Sequence, residues 1–189
     1  MERVALIHVA RDARVSRYRM DRPALPFRSV NVRGRPDYQS DMQRHHLLPQ
    51  QILNTGSLQP LLGRLGLARI GFDDFRRNGL LLPCSASAAL RVGLPLHCGP
   101  HRFYNEMVLE RVGQIEAAWM RSRGRAPLDA ERDAIARLRL LQSALRRRLL
   151  DRGANRLRLN RHDPFRNDVD FTELDAMVDQ LWSASGPEM

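Results

Sequence analysis

Arg44-His45-His46-Leu47-Leu48-Pro49, together with His97-Cys98-Gly99-Pro100-His101 further along, decides how the rest of this chain is read. Four of the six histidines fall in these two clusters. Imidazole is the side chain that both ligates metals and exchanges a proton near neutral pH. A lone histidine is most often structural or solvated, and His8 and His162 are read that way. Two compact clusters with an Asn78-Gly79 turn between them are harder to account for as core filling. Adjacent residues of a strand point to opposite sides, so of His45 and His46 one can hold a metal while the other faces water. Pro100 fits the first position of a helix. That places His101 in the first helical turn and His97 in the loop before it. Tyr104 and Asn105 share the face of His101 and can donate hydrogen bonds into the same site. The helix start adds unpaired N–H groups suited to a phosphate.

Bulk composition limits the partners. The chain has 189 residues, long enough for a sizeable core, and 43% hydrophobic with 28% charged residues fits a soluble globular protein. A net charge of +10 comes entirely from arginine, as no lysine is present. A GC-rich coding sequence and selection for phosphate contacts explain that bias equally well, and the charge favours an acidic partner. Cys84 and Cys98 form no Cys-x-x-Cys pair and are too few for a disulfide scaffold. No apolar run reaches a membrane span, and the first residues lack a signal-peptide core, so the cytoplasm is the expected location.

Along the chain, residues 1–39 mix arginines with Pro23, Pro26, Gly34 and Pro36 and read as an extended, weakly ordered arm. Apolar positions between Leu47 and Leu67 predict one or two short helices, broken near Asn54-Thr55-Gly56 and Pro60. Asn78-Gly79-Leu80-Leu81-Leu82-Pro83 reads as a turn and a short buried strand. Tyr104, Met107, Val108, Val112, Ile115 and Trp119 recur at helical spacing. After a break near Gly124-Arg125-Ala126-Pro127, so do Leu128, Ile135, Leu138, Leu141, Leu145 and Leu149. The two segments predict an antiparallel helical hairpin. The Arg146-Arg147-Arg148 triplet invites a nucleic-acid reading, yet the helix dipole alone favours cations at that end. A last amphipathic helix is expected over 170–182, capped by Asp170 or Thr172.

These motifs resemble the AHH family, predicted nucleases of the HNH and endonuclease VII superfamily. The family pattern of a His-His pair, an aliphatic pair and Pro is matched by His45-His46-Leu47-Leu48-Pro49. Its Gly-hydrophobic-Asp segment running into Asn-Gly-x-x-Leu-Pro is matched by Gly71-Phe72-Asp73 and Asn78-Gly79-Leu80-Leu81-Leu82-Pro83. Its His-x-Gly-x-His-x-x-Tyr-Asn element is matched by His97, Gly99, His101, Tyr104 and Asn105. The alanine that gives the family its name is Arg44 here. The similarity spans roughly residues 40 to 115.

The resemblance implies an α+β fold: a small ββα-metal, treble-clef core (His-Me finger) in a mainly helical domain, with strands around Arg44 to Leu48 and Gly79 to Leu82 and a helix from Pro100. The division it suggests is the arm at 1–39, a nuclease core at 40–123 and a helical extension at 124–189. It also implies roles. His45 and His101 are metal ligands, and His97 is a third ligand or a contact to phosphate or leaving oxygen. His46 is the general base, Asn78 holds the base or its loop, and Tyr104 and Asn105 support them. The cofactor implied is a divalent cation, Mg²⁺ first, with Zn²⁺, Mn²⁺ or Ni²⁺ as alternatives.

The function expected is endonucleolytic cleavage of DNA or RNA with little sequence preference, arginines binding the backbone. Two alternatives belong to other classes: an inactive nucleic-acid-binding protein, and a helical interaction protein whose histidines hold a structural metal. Related domains form the toxic tips of bacterial polymorphic toxins. On that likeness the chain is expected to be a freestanding nuclease or a small effector delivered to another cell by specialised secretion. An immunity protein is then the expected protein partner, and no membrane partner is expected.

Overall fold

The computed structural model describes residues 23–153 and 156–165. The fold is α+β: a two-stranded antiparallel sheet set among helices. Strand β1 (Met42–His46) pairs with β2 (Gly79–Pro83), with His45 opposite Leu80 and His46 opposite Gly79. The first strand ends two residues earlier than the sequence suggests. Leu47 and Leu48 turn away because their N–H groups are taken by the Asn78 carbonyl (2.7 Å) and the Asn78 Oδ1 (2.8 Å).

Between the strands the chain makes two 3-10 turns (Gln50–Asn54 and Gly56–Leu58) and three short helices: α1 (Gln59–Leu65), α2 (Leu67–Ile70) and α3 (Phe75–Asn78). Pro60, expected as a break, sits in the first turn of α1, where its missing N–H costs nothing. Helix α2 ends at Gly71, whose φ of 72° is the left-handed conformation glycine adopts freely. Asp74 caps α3 by accepting the Arg76 N–H. Gly79 has a different reason: a Cβ there would lie 2.2 Å from the Phe75 ring, so only glycine lets that ring cross the start of β2.

Helix α4 (Ala86–Val92), capped by Ser85, packs on β2. Then come the long helices α5 (Arg102–Ser122) and α6 (Pro127–Leu150), joined by a short turn and packed on each other as the hairpin the spacing predicts. Tyr104, Val108, Val112, Ile115 and Trp119 of α5 are buried, as are Ile135, Leu138, Leu145 and Leu149 of α6; Leu128 is exposed. Leu47, Leu48, Ile52, Leu61 and Leu82 complete the same core. Each such aliphatic side chain contributes roughly 1.5–3 kcal/mol through burial. The helices therefore supply the apolar mass that so small a sheet cannot.

Two departures from the sequence reading bear on the site. Residues 23–27 of the segment read as a loose arm are docked on the core. Pro26 bridges Asp74, the Leu25 N–H donates to Asp74 Oδ1 (3.1 Å), the Phe75 N–H donates to the Leu25 carbonyl (2.7 Å), and Phe27 is buried. Arg146, read as a cation at its own helix end, donates to the carbonyls of Arg76 and Gly79, both at 2.8 Å. It thereby satisfies backbone acceptors at the junction of α3 and β2, the α3 one lacking an intrahelical partner. The helix read at 170–182 and His8 lie outside the described residues. Among the described residues both cysteines are free, and no helix is long and apolar enough to cross a membrane.

Candidate metal centre

Strand alternation sorts the histidine pair. Gln43 and His45 project from one face of β1, where His45 meets His97 (ring centroids 4.9 Å) and His101 (5.7 Å), and Gln43 Oε1 lies 3.1 Å from His97 Nδ1. Arg44 and His46 project from the other, where both engage Phe27: the Arg44 guanidinium donates to its carbonyl (2.7 Å), and the His46 imidazole stacks on its ring. That stack is face to face, 3.7 Å between centroids and 2° from parallel. Phe75 packs edge-on against Phe27 in turn, at 5.1 Å.

On the first face the chain brings together one nitrogen each from His45, His97 and His101, all within 4.8 Å of one another. Donors around a tetrahedral ion with bonds of 2.0–2.1 Å stand about 3.4 Å apart, a separation small ring rotations reach from here. His45 is 4% exposed, and its Nε2 is buried without a hydrogen-bond partner. An orphaned buried nitrogen costs about 1–3 kcal/mol unless something satisfies it. A cation does, and the site therefore fits one.

Protonation agrees with this. Burial, and then the neighbouring imidazoles, hold His45 well below its ordinary pKa. Burial and His101 push His97 down to about 4, and burial lowers His101 against the opposing effect of the Leu159 carbonyl. At neutral pH all three are uncharged and have a lone pair to give. His46 is also lowered, by burial and then Arg44, with Asp73 acting the other way. Among the described residues none hydrogen-bonds its ring.

His101 sits one residue ahead of the expected first turn: it is the N-cap of α5, which begins at Arg102. Its Nδ1 lies 3.2 Å from the carbonyl of Leu159, a residue from beyond the hairpin. A carbonyl only accepts, so His101 carries its proton on Nδ1 and leaves Nε2 free.

The family model described as "a nuclease family of the HNH/ENDO VII superfamily with conserved AHH" matches residues 27–144, more than half of the chain. The chain belongs to the AHH family. No curated protein and no solved structure matches it. In this AHH protein the position of the family's alanine is held by Arg44. Its guanidinium is committed to the Phe27 carbonyl, so the departure ties the N-terminal segment to the strand rather than adding a charge to the metal centre.

The other residues singled out in the sequence fall around the centre rather than in it. Asn78 is fully buried: its Oδ1 accepts from Leu48 N–H and, at 3.3 Å, from Gln142, while its Nδ2 donates to the Phe72 carbonyl (3.0 Å). It holds the turn that follows the histidine pair. The sequence reading gives the Tyr104 hydroxyl to the site; instead it donates to the Leu47 carbonyl (2.6 Å), and burial raises its pKa. The ring meets His45 edge-on at 5.0 Å, making Tyr104 a wall of the centre. Asn105 donates to Gln51 Oε1 (3.2 Å), and His162 is exposed on the surface.

Three participants escape a sequence reading. Gln43 was within reach, since a residue two before a strand ligand shares its face. Phe27 and Leu159 had no signal, being brought in by contacts far apart along the chain.

Proposed function

We propose that this nuclease is a metal-dependent endonuclease that hydrolyses phosphodiester bonds in DNA, and that His45, His97 and His101 hold its divalent cation. The carrying observation is the three-imidazole cluster with its orphaned His45 Nε2. Three protein ligands leave coordination positions open, the pattern of catalytic rather than structural sites. Neither Cys98 nor Asp163 joins the cluster: both Asp163 carboxylate oxygens accept backbone N–H groups. An all-nitrogen donor set favours Zn²⁺ or Ni²⁺ over the Mg²⁺ expected first from the sequence, which like Mn²⁺ prefers oxygen ligands.

When bound, the cation supplies positive charge that stabilises the phosphate and the leaving oxygen. His46, neutral and on the opposite face of the strand at its last position, takes the proton of the attacking water. Its stack on Phe27 fixes the ring plane, so the imidazole keeps one orientation. For the backbone we assign the groove lined by Arg69, Arg77, Arg132 and Arg139 on α2, α3 and α6. Glu131, Asp74 and Asp129 pair with three of these cations, and Arg139 lies under the like charges of Arg77 and Arg69. A phosphate run would relieve that repulsion without reading bases.

Plasmid DNA and structured RNA incubated with the protein and Zn²⁺, Ni²⁺, Mn²⁺ or Mg²⁺ test the reading. Wild type cuts DNA and chelator stops it; His45→Ala loses metal, whereas His46→Ala keeps the metal and loses cleavage. Intact nucleic acid under every metal would remove the proposal. An effector role rests on the same pair, with growth arrest on inducing wild type and none with His46→Ala.

A further inference from the structure

After α6 ends at Leu150 the chain turns back, and residues 156–165 lie along the loop that carries His97 and His101. The Leu157 N–H donates to the Arg148 carbonyl (3.0 Å), and the Leu159 side chain is buried in the main core. From this anchor the segment reaches the loop at four points. Arg156 donates to the Gly93 carbonyl (3.0 Å), and the Asn160 amide donates to the Cys98 carbonyl. Asp163, 2% exposed, accepts the Leu96 N–H (2.9 Å) with one oxygen and the Phe165 N–H (2.9 Å) with the other. The fourth contact is the Leu159 carbonyl on His101 Nδ1 (3.2 Å). Arg156, Leu159, Asn160 and Asp163 all lie beyond position 144, where the family match ends.

We infer that residues 156–165 are a strap that completes the metal centre, positioning His101 through the Leu159 carbonyl and the His97–His101 loop through Asn160 and Asp163. The loop itself contributes few backbone ties: His97 N–H to the Pro83 carbonyl (2.7 Å) is one, and no helix or strand covers 93–101. Gly99 at its centre has a φ of 75°. Such a loop would have to be ordered by the cation at a cost in affinity; the strap orders it beforehand. Hydrogen bonds from outer groups to ligand imidazoles fix tautomer and ring direction, and their removal lowers metal affinity 10–100-fold. Asp163 and Asn160 are positioning residues, acting on the ligands through the loop and not on substrate.

The inference rests on the metal reading, and the test separates the two. Full-length protein is titrated with Zn²⁺ by calorimetry in the presence of a competing chelator, with far-UV circular dichroism as a check on folding. Asp163→Ala should weaken Zn²⁺ binding 10–100-fold with an unchanged spectrum, and the imidazole nitrogen signals of His101 should change from one tautomer to an exchanging mixture. Asn160→Ala, at a half-buried position and less disruptive, should weaken binding several-fold. His162→Ala, on the same segment without a tie to the loop, should bind as wild type does. Wild-type affinity in Asp163→Ala overturns the strap while leaving the metal centre standing. Should Asp163→Ala fail to fold, wild-type affinity in Asn160→Ala overturns it equally. Absence of Zn²⁺ binding by wild type would overturn both.

Discussion

Asn78→Ala separates a structural from a chemical role for the asparagine between the two clusters. The side chain is fully buried and makes four contacts with three residues: Leu48 N–H and Gln142 Nε2 on its oxygen, and the Phe72 and, at 3.4 Å, Leu48 carbonyls on its nitrogen. Alanine leaves the Leu48 N–H and the Phe72 carbonyl unsatisfied. At about 1–3 kcal/mol for each stranded group the loss is about 2–6 kcal/mol. That is a large part of the roughly 5–15 kcal/mol that holds a domain folded. The Gln142 amide and the 3.4 Å contact are discounted, because one is an extra bond and the other marginal in length. Urea unfolding followed by circular dichroism measures the change. At the middle of the range, about 4 kcal/mol, Tm falls by roughly 8–16 °C for a chain of this size. Asn78→Asp keeps an acceptor for Leu48 but turns a carboxylate toward the Phe72 carbonyl, so it should be no more stable than the alanine variant. A variant within about 0.5 kcal/mol of wild type that nonetheless lost cleavage would refute this reasoning and give Asn78 a part in the chemistry.

Two further outcomes follow from the arginine-rich faces. Arg64 (2.6 Å) and Arg69 (3.2 Å) grip Glu131 and lower its carboxyl pKa, so the stabilisation is full above the unfolded carboxylate value and is lost as pH falls through the folded one. The urea midpoint of Glu131→Gln should therefore lie below wild type at pH 7 and meet it under acid conditions; a gap independent of pH would mean packing rather than charge. In the backbone groove, Arg132→Ala with Arg139→Ala should reduce the slope of log affinity against log salt by about 1.8 for duplex DNA, two contacts at about 0.9 each. A raised KM with unchanged kcat is expected alongside, and an unaltered slope would move the nucleic acid to another face.

The sequence made the local parts of the centre readable. Strand alternation separates His45 from His46, and helical spacing marks both the α5–α6 hairpin and the helix start near His101, because each depends on residues a few positions apart. Parts that depend on distant contacts left no such trace. Phe27 lies among prolines and arginines with no periodicity, yet it reaches His46 because Leu25 and Pro26 pair with Asp74 and Phe75, just ahead of β2. Tyr104 shows the limit of face arguments: three residues past His101 it shares the expected face, but the Leu47 carbonyl, freed where β1 ends, takes its hydroxyl.

Each half of the chemistry thus depends on a segment outside the two motifs. The base face is closed from the N-terminal side by Phe27, and the metal face from the C-terminal side by Leu159. The β1–β2 ribbon alone could present the histidine pair, but a two-stranded hairpin is at best marginally stable in water and cannot hold two imidazoles in fixed planes. The ribbon is buttressed on one side by an aromatic stack and on the other by a hydrogen-bonded strap, both anchored in the helical core. On the proposed reading the histidine motif supplies the ligands and the base while the surrounding fold sets their orientation, so a transplanted motif without Phe27 and residues 156–165 should carry the right groups in the wrong geometry.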